Sequence, residues 1–369
     1  MRVLVVNAGS SSLKLALVDA KDDVLASREL PACDADPARL ARELDSDLTP
    51  ADAVGHRIVH GGERFTAGVR VDEGVRGALG ALSDLAPLHQ SRSLAALDAV
   101  SQALPQLPAV ACFDTAFHAG LPSEAATYAL PLQMRELWGL RRFGFHGLSH
   151  SWVARRAPQL LGVSASTLRI ISCHLGAGAS LCAITDGRSV DTTMGYTPLE
   201  GLVMATRSGS VDPGMLLWLL KHARMTLEEL SDALENESGV LGLSGSADMR
   251  EVVDRARDGD QPAQLALEVY IHSLCAGIAA MAAALSGVDA LVFTGGVGER
   301  STKVRSLVAQ RMAFLGIDVD RTANQSVDSI ELDISAAGAA VRTLVVPARE
   351  DLEVARETRA VLGAPRAAR

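Results

Sequence analysis

A polar turn near the start of the chain carries residue types that could bind phosphate. The apolar run 3–6 stops at Asn7-Ala8-Gly9-Ser10-Ser11-Ser12, and alternating apolar residues resume at Leu13. This pattern predicts a strand, a tight turn and a second strand. Backbone N–H groups and hydroxyls in such a turn can surround phosphate oxygens, and Lys14 can add a positive charge. A serine-rich hairpin turn without a ligand fits the same pattern, and the spacing of a P-loop is absent from the chain.

A second strand and small-residue turn lie near the middle of the chain. Residues 169–174 are predicted to form a strand that ends in Leu175-Gly176-Ala177-Gly178, and 181–184 the returning strand. Asp186-Gly187 predicts a hairpin turn before another strand at 190–193. Two halves with the same organisation predict a duplicated domain with a ligand cleft between the copies.

Three single residues and one glycine turn could contribute to a functional site, and each has a plain structural alternative. Arg57 lies at the end of a predicted strand, where it could equally be a solvated surface charge. Asp114 directly follows the buried strand 109–113, where an acidic residue can also cap a helix. His146 could be a structural core histidine. The turn 295–299, between a buried strand at 290–294 and a helix at 302–315, can pack against a nucleotide or be an ordinary tight turn.

The composition argues against several classes of protein. The 369 residues predict two domains, and 48% hydrophobic residues suffice for two packed cores. The net charge of −9 argues against a general nucleic-acid or membrane-surface binder. The five cysteines include no C-x-x-C pair, which argues against a zinc site or disulfide framework and for a reducing cytosol. The N-terminal apolar run is too short for a signal peptide, and the run 274–285 is too short for a membrane span and predicts a buried helix.

The remaining periodic segments predict the other strands and helices. Pro87-Leu88-His89 is expected to separate two helices of the first half. Strands are predicted at 24–30, 53–60 and 344–346, and helices at 37–48, 75–85, 93–104, 151–161, 216–224, 226–235, 262–286 and 352–362.

Seven segments along the chain carry polar or charged side chains, and six of them also contain glycine. The first half holds Val5-Val6-Asn7-Ala8-Gly9-Ser10-Ser11-Ser12-Leu13-Lys14, His56-Arg57-Ile58-Val59-His60-Gly61-Gly62-Glu63, Phe113-Asp114-Thr115-Ala116-Phe117-His118 and Gly144-Phe145-His146-Gly147-Leu148-Ser149-His150. The second half holds Cys173-His174-Leu175-Gly176, Met194-Gly195-Tyr196-Thr197-Pro198-Leu199-Glu200-Gly201 and Thr206-Arg207-Ser208-Gly209. In this order the segments resemble the motifs of the acetate kinase (acetokinase) family of short-chain carboxylate kinases. The resemblance extends from Val3 to about Thr358.

The resemblance implies an α/β fold of the duplicated actin-like, acetate-and-sugar-kinase (ribonuclease H-like) type, with two domains and a central cleft. The first domain would span 1–115 and be completed by a C-terminal helix at 350–369. The second would span 116–349 and provide nucleotide binding and dimerisation. The implied reaction is ATP + acetate ⇌ ADP + acetyl phosphate in a cytoplasmic homodimer, with Mg²⁺ or alternatively Mn²⁺, and with no nucleic-acid or membrane partner.

The resemblance also implies roles for single residues. Arg57 would hold the substrate carboxylate, with Arg207 facing it across the transferring phosphoryl group. His146 would hydrogen-bond that group, and Asp114 would be the catalytic acidic residue that orients the site. Arginine suits such oxygens because its planar fork binds them bidentately, and a carboxylate substrate is already ionised at neutral pH. The other implied residues bind the metal (Asn7, Glu350), phosphates (Ser12, Lys14), the alkyl end of the substrate (Val59, Leu88, Phe145, Pro198) or the nucleotide (His174, Leu175, Gly176, Ala177, Gly178, Asp248, Met249, Arg250, Gly296, Val297, Gly298, Glu299, Arg300).

Several positions depart from the family pattern, mainly on the nucleotide and metal side. Ala177, Arg300 and Arg349 stand where the family has asparagine, and Ala205 stands where it has glycine. These changes bear on the phosphoryl donor more than on the reaction class. The alternatives are a propionate or butyrate kinase of the same family, a catalytically weak member that only binds nucleotide, and a sugar or glycerol kinase with Asp114 as general base.

Overall fold

The computed structural model describes residues 1–9, 12–31, 48, 50–83, 87–326 and 330–363, with the backbone alone described at 87–89. The chain divides into two units. The first unit comprises residues 1–119, 145–152 and the C-terminal segment from Arg349. The second unit comprises residues 120–144 and 153–348.

The described residues form twelve strands and fourteen α-helices. The strands are β1 (Val3–Ala8), β2 (Ser12–Val18), β3 (Val24–Pro31), β4 (Ala53–Ile58), β5 (Val69–Arg70), β6 (Ala109–Phe113), β7 (Ile170–Leu175), β8 (Ala179–Thr185), β9 (Arg188–Thr192), β10 (Ala290–Thr294), β11 (Leu332–Asp333) and β12 (Arg342–Val345). The helices are α1 (Glu73–Gly80), α2 (Pro87–Ala103), α3 (Ser123–Ala126), α4 (Leu132–Trp138), α5 (Gly147–Leu161), α6 (Pro213–Trp218), α7 (Leu227–Asn236), α8 (Gly239–Ser244), α9 (Met249–Arg257), α10 (Gln261–Ala284), α11 (Gly295–Arg300), α12 (Thr302–Arg311), α13 (Arg321–Gln325) and α14 (Glu350–Gly363).

Each unit contains one mixed sheet, and the two sheets have the same topology. The strand order is β3-β2-β1-β4-β6-β5 in the first unit and β9-β8-β7-β10-β12-β11 in the second. In both, three antiparallel strands are followed by two parallel ones and by a two-residue antiparallel edge strand. The parallel ladder begins at Val3 and Ala53 in the first sheet and at Ile170 and Ala290 in the second. This repetition confirms the duplicated α/β fold predicted from the sequence.

Residues 3–6 of β1 are all apolar and buried because both faces of the sheet are covered there. One face, with Val3 and Val5, packs against Leu352, Val354 and Ala355 of α14. The other face is covered by α2, through the cluster Leu4, Val6, Leu13, Leu15, Leu17, Leu48, Val54, Ala96, Ala99 and Val100. Helix α14 therefore completes the core of the first unit.

Helix α10 is the long apolar helix predicted from the second half. By length and composition it could cross a membrane, but half of its most apolar window is buried in the protein. It packs against α8, α9 and α12, and against β8. Core residues on it include Ala266, Tyr270 and Ile278. These contacts are those of a core helix, as predicted.

Two predicted helix starts and one predicted turn were wrong. Pro87 starts α2 instead of breaking a helix, because proline is favoured at the first helical position, where its missing N–H needs no partner. Helix α5 begins at Gly147, ahead of the predicted 151, and residues 295–300 form the short helix α11 where a turn was predicted. The predicted helix 37–48 lies outside the described residues except for Leu48, which is buried.

The buried histidines His56 and His118 predict that the folded protein loses stability in acid. Burial lowers the pKa of His56 to about 4, partly opposed by the charge of Asp98, and lowers that of His118 to about 4, partly opposed by a hydrogen bond with the Phe145 carbonyl. The ordinary value is 6.5, so the unfolded chain binds protons that the folded protein excludes as the pH falls from 6.5 towards 4. Stability is fully present above that range. Each histidine should lower the free energy of unfolding by about 2 kcal/mol between roughly pH 7 and pH 5.

This pH dependence can be measured by urea unfolding of the wild type and of His56→Leu. We expect the variant to lose about half of the change attributed to the two histidines. His222→Gln, at an exposed position, is the matched control. An unchanged pH dependence in His56→Leu would contradict the assignment.

Candidate active site

The three parallel strands of the first unit place polar side chains at one edge of their sheet. Alternation along β1 puts Val3, Val5 and Asn7 on the face covered by α14. Arg57 is the next-to-last residue of β4, and Asp114 directly follows β6. Since β1, β4 and β6 are parallel, their carboxyl ends meet, and this edge is where ligands bind in open α/β sheets. Helix α14 begins there with Glu350.

These four residues form one hydrogen-bonded cluster. Arg57 donates from Nε to Asp114 Oδ1 at 3.0 Å and from Nη2 to Asp114 Oδ2 at 2.6 Å. Its Nη1 donates to Asn7 Oδ1 at 3.0 Å, and Asn7 Nδ2 donates to Glu350 Oε2 at 3.0 Å. Glu350 Oε2 also lies 3.7 Å from Arg57 Nε. The structure thus brings together the predicted residues Asn7, Arg57, Asp114 and Glu350.

The cluster holds two carboxylates against one guanidinium. The side chain of Asp114 is 2% exposed, while those of Arg57 and Glu350 are each 15% exposed. Burial raises the pKa of Asp114 against the opposing charge of Arg57, and the charge of Glu350 raises it further. Burial alone would lower the pKa of Arg57, but the charges of Asp114 and Glu350 outweigh it and keep that pKa above its ordinary value. The site therefore keeps its arginine protonated and carries an excess of acidic oxygens.

Two glycines let other segments approach this cluster closely. A Cβ at Gly55 would lie 2.4 Å from Thr358 Oγ1 and 2.7 Å from a methyl of Val354, so glycine on β4 lets α14 pack directly on the sheet. The Gly147 N–H donates to the Asp114 carbonyl at 2.8 Å, and a Cβ there would lie 2.1 Å from that oxygen. His146 immediately precedes this contact, is half-buried and has a φ of 55°, a left-handed conformation rare outside glycine.

Other predicted residues of the first unit lie around the same strands. Ser12 donates from Oγ to Glu29 Oε1 at 2.6 Å, and the exposed Lys14 lies opposite Asn7 in the β1–β2 ladder. Val59 and Phe145 are buried, and the Phe145 ring meets the His60 ring edge-on at 5.4 Å. Leu88 lies in the first turn of α2, and its side chain is outside the described part of the structure.

Arg207 belongs to the second unit. Its Nη1 donates to the carbonyl of Pro198 at 2.7 Å. Among the described residues, no carboxylate oxygen lies within 4.0 Å of it, and burial lowers its pKa, partly opposed by the charge of Glu235. A Cβ at Gly239 would lie 2.7 Å from the Arg207 carbonyl, so α8 begins directly against this segment. Arg207 is thus a largely desolvated cation with no acidic partner in the described chain, which favours an incoming anion.

Apart from Ser12 and Lys14, the predicted nucleotide-binding residues belong to the second unit, where they lie at the end of β7, in the turn after it, at the start of α9 and on α11. His174 and Leu175 end β7, and the turn to β8 is closed by a bond from the Gly176 N–H to the Gly178 carbonyl at 2.9 Å. Asp248 caps α9 and pairs with the exposed Arg250 at 2.7 Å. Met249 is the first residue of α9. Gly296, Val297, Gly298, Glu299 and Arg300 form α11, in which Arg300 Nε donates to the Gly296 carbonyl at 3.2 Å.

Two residues that depart from the family pattern contact each other. The exposed Ala177 accepts a hydrogen bond at its carbonyl from the Ala205 N–H at 3.1 Å. The Ala205 carbonyl in turn accepts a bond from the Leu241 N–H at 2.9 Å. The glycine turn after β7 and the segment that leads to Arg207 are therefore joined through these two alanines.

Sequence reasoning missed a second polar network in the second unit. Glu200 accepts hydrogen bonds from both Tyr128 and Arg142, around the segment that holds Pro198. Glu200 lies within a recognised motif, but Tyr128 and Arg142 belong to no predicted site. The sequence carries only a weak indication of this network, namely that Tyr128 is one of three tyrosines in the chain.

Comparison with known proteins identifies the family. A model of the acetokinase family matches residues 38–356, most of the chain. The chain belongs to the acetokinase family. An acetate kinase of Acetivibrio thermocellus is 43% identical over 393 residues, which cover 97% of this chain and 98% of that protein. This confirms the resemblance found in the sequence motifs.

Solved structures of the acetokinase family share the fold over almost their whole length. The acetate kinase of Porphyromonas gingivalis superposes with a TM-score of 0.89 at 37% identity, covering 98% of this chain and 99% of that one. A propionate kinase of Francisella tularensis superposes with a TM-score of 0.90 at 33% identity and the same coverage. The α/β, actin-like fold expected for this acetokinase family member is thereby confirmed.

Restoring the acetokinase-family asparagine at position 177 tests the glycine turn. Ala177 is exposed, so an asparagine has room. If the turn contacts nucleotide phosphate, Ala177→Asn should tighten nucleotide binding by ~1.5–3 kcal/mol at most, the value of one hydrogen bond to a charged group. The apparent affinity for the carboxylate should stay nearly unchanged. Steady-state kinetics with ATP and acetate varied in turn measure both, and Ala337→Asn at another exposed position is the control. No change in the ATP dependence would place the turn away from the nucleotide.

Proposed function

We propose that the protein catalyses the reversible, ATP-dependent phosphorylation of acetate to acetyl phosphate. The observation that supports this best is the cluster of Asn7, Arg57, Asp114 and Glu350 at the carboxyl ends of three parallel strands, in a chain of the acetokinase family. A carboxylate nucleophile is ionised at neutral pH, so the site needs positioning and charge neutralisation more than a base.

The two arginines have different proposed tasks. Arg57 is fixed by Asp114 and Asn7, which leaves part of its fork to orient the carboxylate of the substrate. Arg207 lacks an acidic partner among the described residues and stabilises the negative charge of the transferring phosphoryl group. His146 donates a hydrogen bond to the same group. We assign the methyl end of acetate to Val59, Leu88, Phe145 and Pro198, of which Val59 and Phe145 are buried.

The residues present fit a magnesium ion. Mg²⁺ prefers oxygen ligands, and Asn7, Asp114 and Glu350 supply one amide and two carboxyl groups with excess negative charge. The metal would neutralise charge on the phosphates. The predicted holders are Asn7 and Glu350, with Asp114 acting through the metal's water shell.

We expect no tightly bound metal in the nucleotide-free protein. Asn7 and Glu350 already bond each other, and the described residues contain no group of three His, Cys, Asp or Glu arranged around a common metal position. Magnesium should therefore arrive mainly with the nucleotide phosphates. Metal analysis after extensive dialysis measures this. Stoichiometric metal that survives dialysis would contradict the proposal.

Trapping of the product by hydroxylamine tests the proposed reaction. With Mg·ATP and acetate the protein should form an acyl phosphate that hydroxylamine converts to a hydroxamate. Propionate, butyrate and glycerol in parallel rank the alternatives, because one methylene in an apolar pocket changes the free energy of binding by only about 1–3 kcal/mol. A propionate kinase remains the second candidate, since one solved relative carries that name. If no carboxylate yields a trapped product, the kinase proposal fails.

We also propose that the enzyme is a cytoplasmic homodimer that associates through the second unit. Support comes from large apolar side chains left exposed on α6, namely Leu217 and Trp218, and from Leu265 on α10. Light scattering at micromolar concentration should give twice the chain mass of 38.7 kDa. A monomer would count against this assembly.

A further inference from the structure

Three side chains fix the segment 193–200 of the second unit. Tyr128 and Arg142 lie outside the segment, and Glu200 lies within it. Tyr128 Oη donates to Glu200 Oε2 at 2.5 Å and accepts from the Tyr196 N–H at 2.8 Å. Arg142 donates from Nη2 to Glu200 Oε1 at 2.8 Å. The two oxygens of Glu200 are thus each bonded to a different residue.

Arg142 also binds the backbone at the start of the same segment. Its Nη1 donates to the carbonyls of Thr193 at 3.2 Å and Met194 at 3.0 Å. Its guanidinium lies over the Tyr128 ring, 5.5 Å from the ring centre. The N–H groups of the following residues, Phe143 and Gly144, both donate to the Gly195 carbonyl. The segment is therefore fixed at each step from 193 to 196.

Packing around this network leaves no room for a side chain at Gly195. A Cβ there would lie 1.7 Å from Glu200 Oε2 and 2.1 Å from Tyr128 Oη. Burial and the hydrogen bond to Glu200 raise the pKa of the Tyr128 hydroxyl above its ordinary value. A network so confined holds one geometry.

The segment fixed in this way ends beside Arg207. Pro198, two residues before Glu200, accepts a hydrogen bond at its carbonyl from Arg207 Nη1 at 2.7 Å. This is the one bond that the structure gives to the guanidinium of Arg207 from the described residues. The orientation of the guanidinium therefore depends on where the Pro198 carbonyl lies.

We propose that Tyr128 and Glu200 are positioning residues that fix Pro198 and, through its carbonyl, aim the guanidinium of Arg207 at the anionic group it binds. This inference rests on the proposed function, in which Arg207 faces the phosphoryl group and Pro198 lines the substrate pocket. Neither Tyr128 nor Glu200 touches substrate. Their effect is on the geometry of the anion site and on the fit of the substrate's alkyl end.

Tyr128→Phe tests the proposal, because it removes both hydrogen bonds of the hydroxyl and keeps the ring. Tyr270→Phe is a matched control: the Tyr270 hydroxyl is buried in the same unit and has no hydrogen-bond partner among the residues that the structure describes. Glu200→Gln is a second variant that keeps an acceptor for Tyr128 but weakens the bond to Arg142. Circular dichroism confirms that each variant is folded before it is compared.

Two measurements are made on each variant. In the kinetic assay, Tyr128→Phe should lower kcat/KM for acetate by about tenfold or more and should change the propionate-to-acetate ratio by about threefold, since small displacements at a reacting site cost large factors. In calorimetry with inorganic phosphate as the probe, its Kd should rise by about fivefold. Glu200→Gln should shift both quantities in the same direction by less, and Tyr270→Phe should match the wild type.

The outcomes separate this inference from the proposed function. If the wild type forms no acyl phosphate but Tyr128→Phe still weakens phosphate binding, the proposed reaction fails and the positioning role stands. If Tyr128→Phe matches Tyr270→Phe in substrate ratio and phosphate Kd, the positioning role is overturned, even where less folded protein is recovered. A wild type that binds no phosphate overturns it as well.

Discussion

Arg207→Ala is expected to lower kcat for acetyl phosphate formation by about 10³–10⁵-fold, the effect of removing an arginine that stabilises a transferring phosphoryl group. The physical reason is that Arg207 is largely desolvated and has no acidic partner among the described residues, so its charge is available to the transferring group. Its removal leaves no buried carboxylate unpaired. The variant should therefore fold normally while turning over very slowly.

The comparison for Arg207→Ala uses two more variants. Arg207→Lys should recover only part of the rate, because a point charge does not reproduce a bidentate fork. Arg188→Ala removes an exposed arginine of the same unit and should leave the rate unchanged. Near-wild-type turnover in Arg207→Ala would show that this arginine is not in the active site.

Arg57→Ala should affect both stability and turnover. The side chain of Asp114 is 2% exposed and is bonded to two nitrogens of Arg57, so the variant would leave a buried carboxylate without its cation. Breaking a buried pair in this way typically costs about 3–5 kcal/mol of unfolding free energy. Loss of an oriented donor at the reacting carboxylate should lower kcat roughly 10²–10³-fold and raise KM for acetate.

The double variant Arg57→Ala/Asp114→Ala separates these two effects. It removes the unpaired carboxylate as well as the cation, so most of the lost stability should return in urea unfolding. Turnover should not return, because both proposed site residues are then missing. If turnover recovers with stability, Arg57 and Asp114 form a structural ion pair and the proposed site is wrong.

Much of the first unit's site could be predicted from the sequence, because its residues end strands. The apolar run of β1 and the buried strand before Asp114 mark two carboxyl ends, and parallel strands bring such ends together. The pairing itself could not be predicted from the residues alone. Arg57 and Asp114 are 57 positions apart, and nothing in local periodicity shows that one guanidinium binds both Asp114 and Asn7.

The missed features depend on packing between distant segments. Tyr128 and Glu200 are 72 positions apart, and neither carries a local pattern that indicates a partner. The prediction that Pro87 breaks a helix was wrong for a different reason: proline is favoured both after a helix end and at the first helical position, and periodicity does not distinguish the two. The roles of the individual site residues, including His146 and the nucleotide segments, stay predictions until the variants are measured.

The placement of α14 has a consequence for how the protein is made. Asn7 and Glu350 bond each other across 343 positions, and α14 covers the face of β1 that holds Val3 and Val5. On the ribosome the first sheet therefore emerges long before the helix that buries it, while the second unit is contiguous enough to fold first. Glu350 of the proposed catalytic cluster is therefore synthesised only after the strands of both sheets. A nascent chain that has not reached residue 350 consequently lacks Glu350 and also lacks the helix that covers Val3 and Val5 of β1.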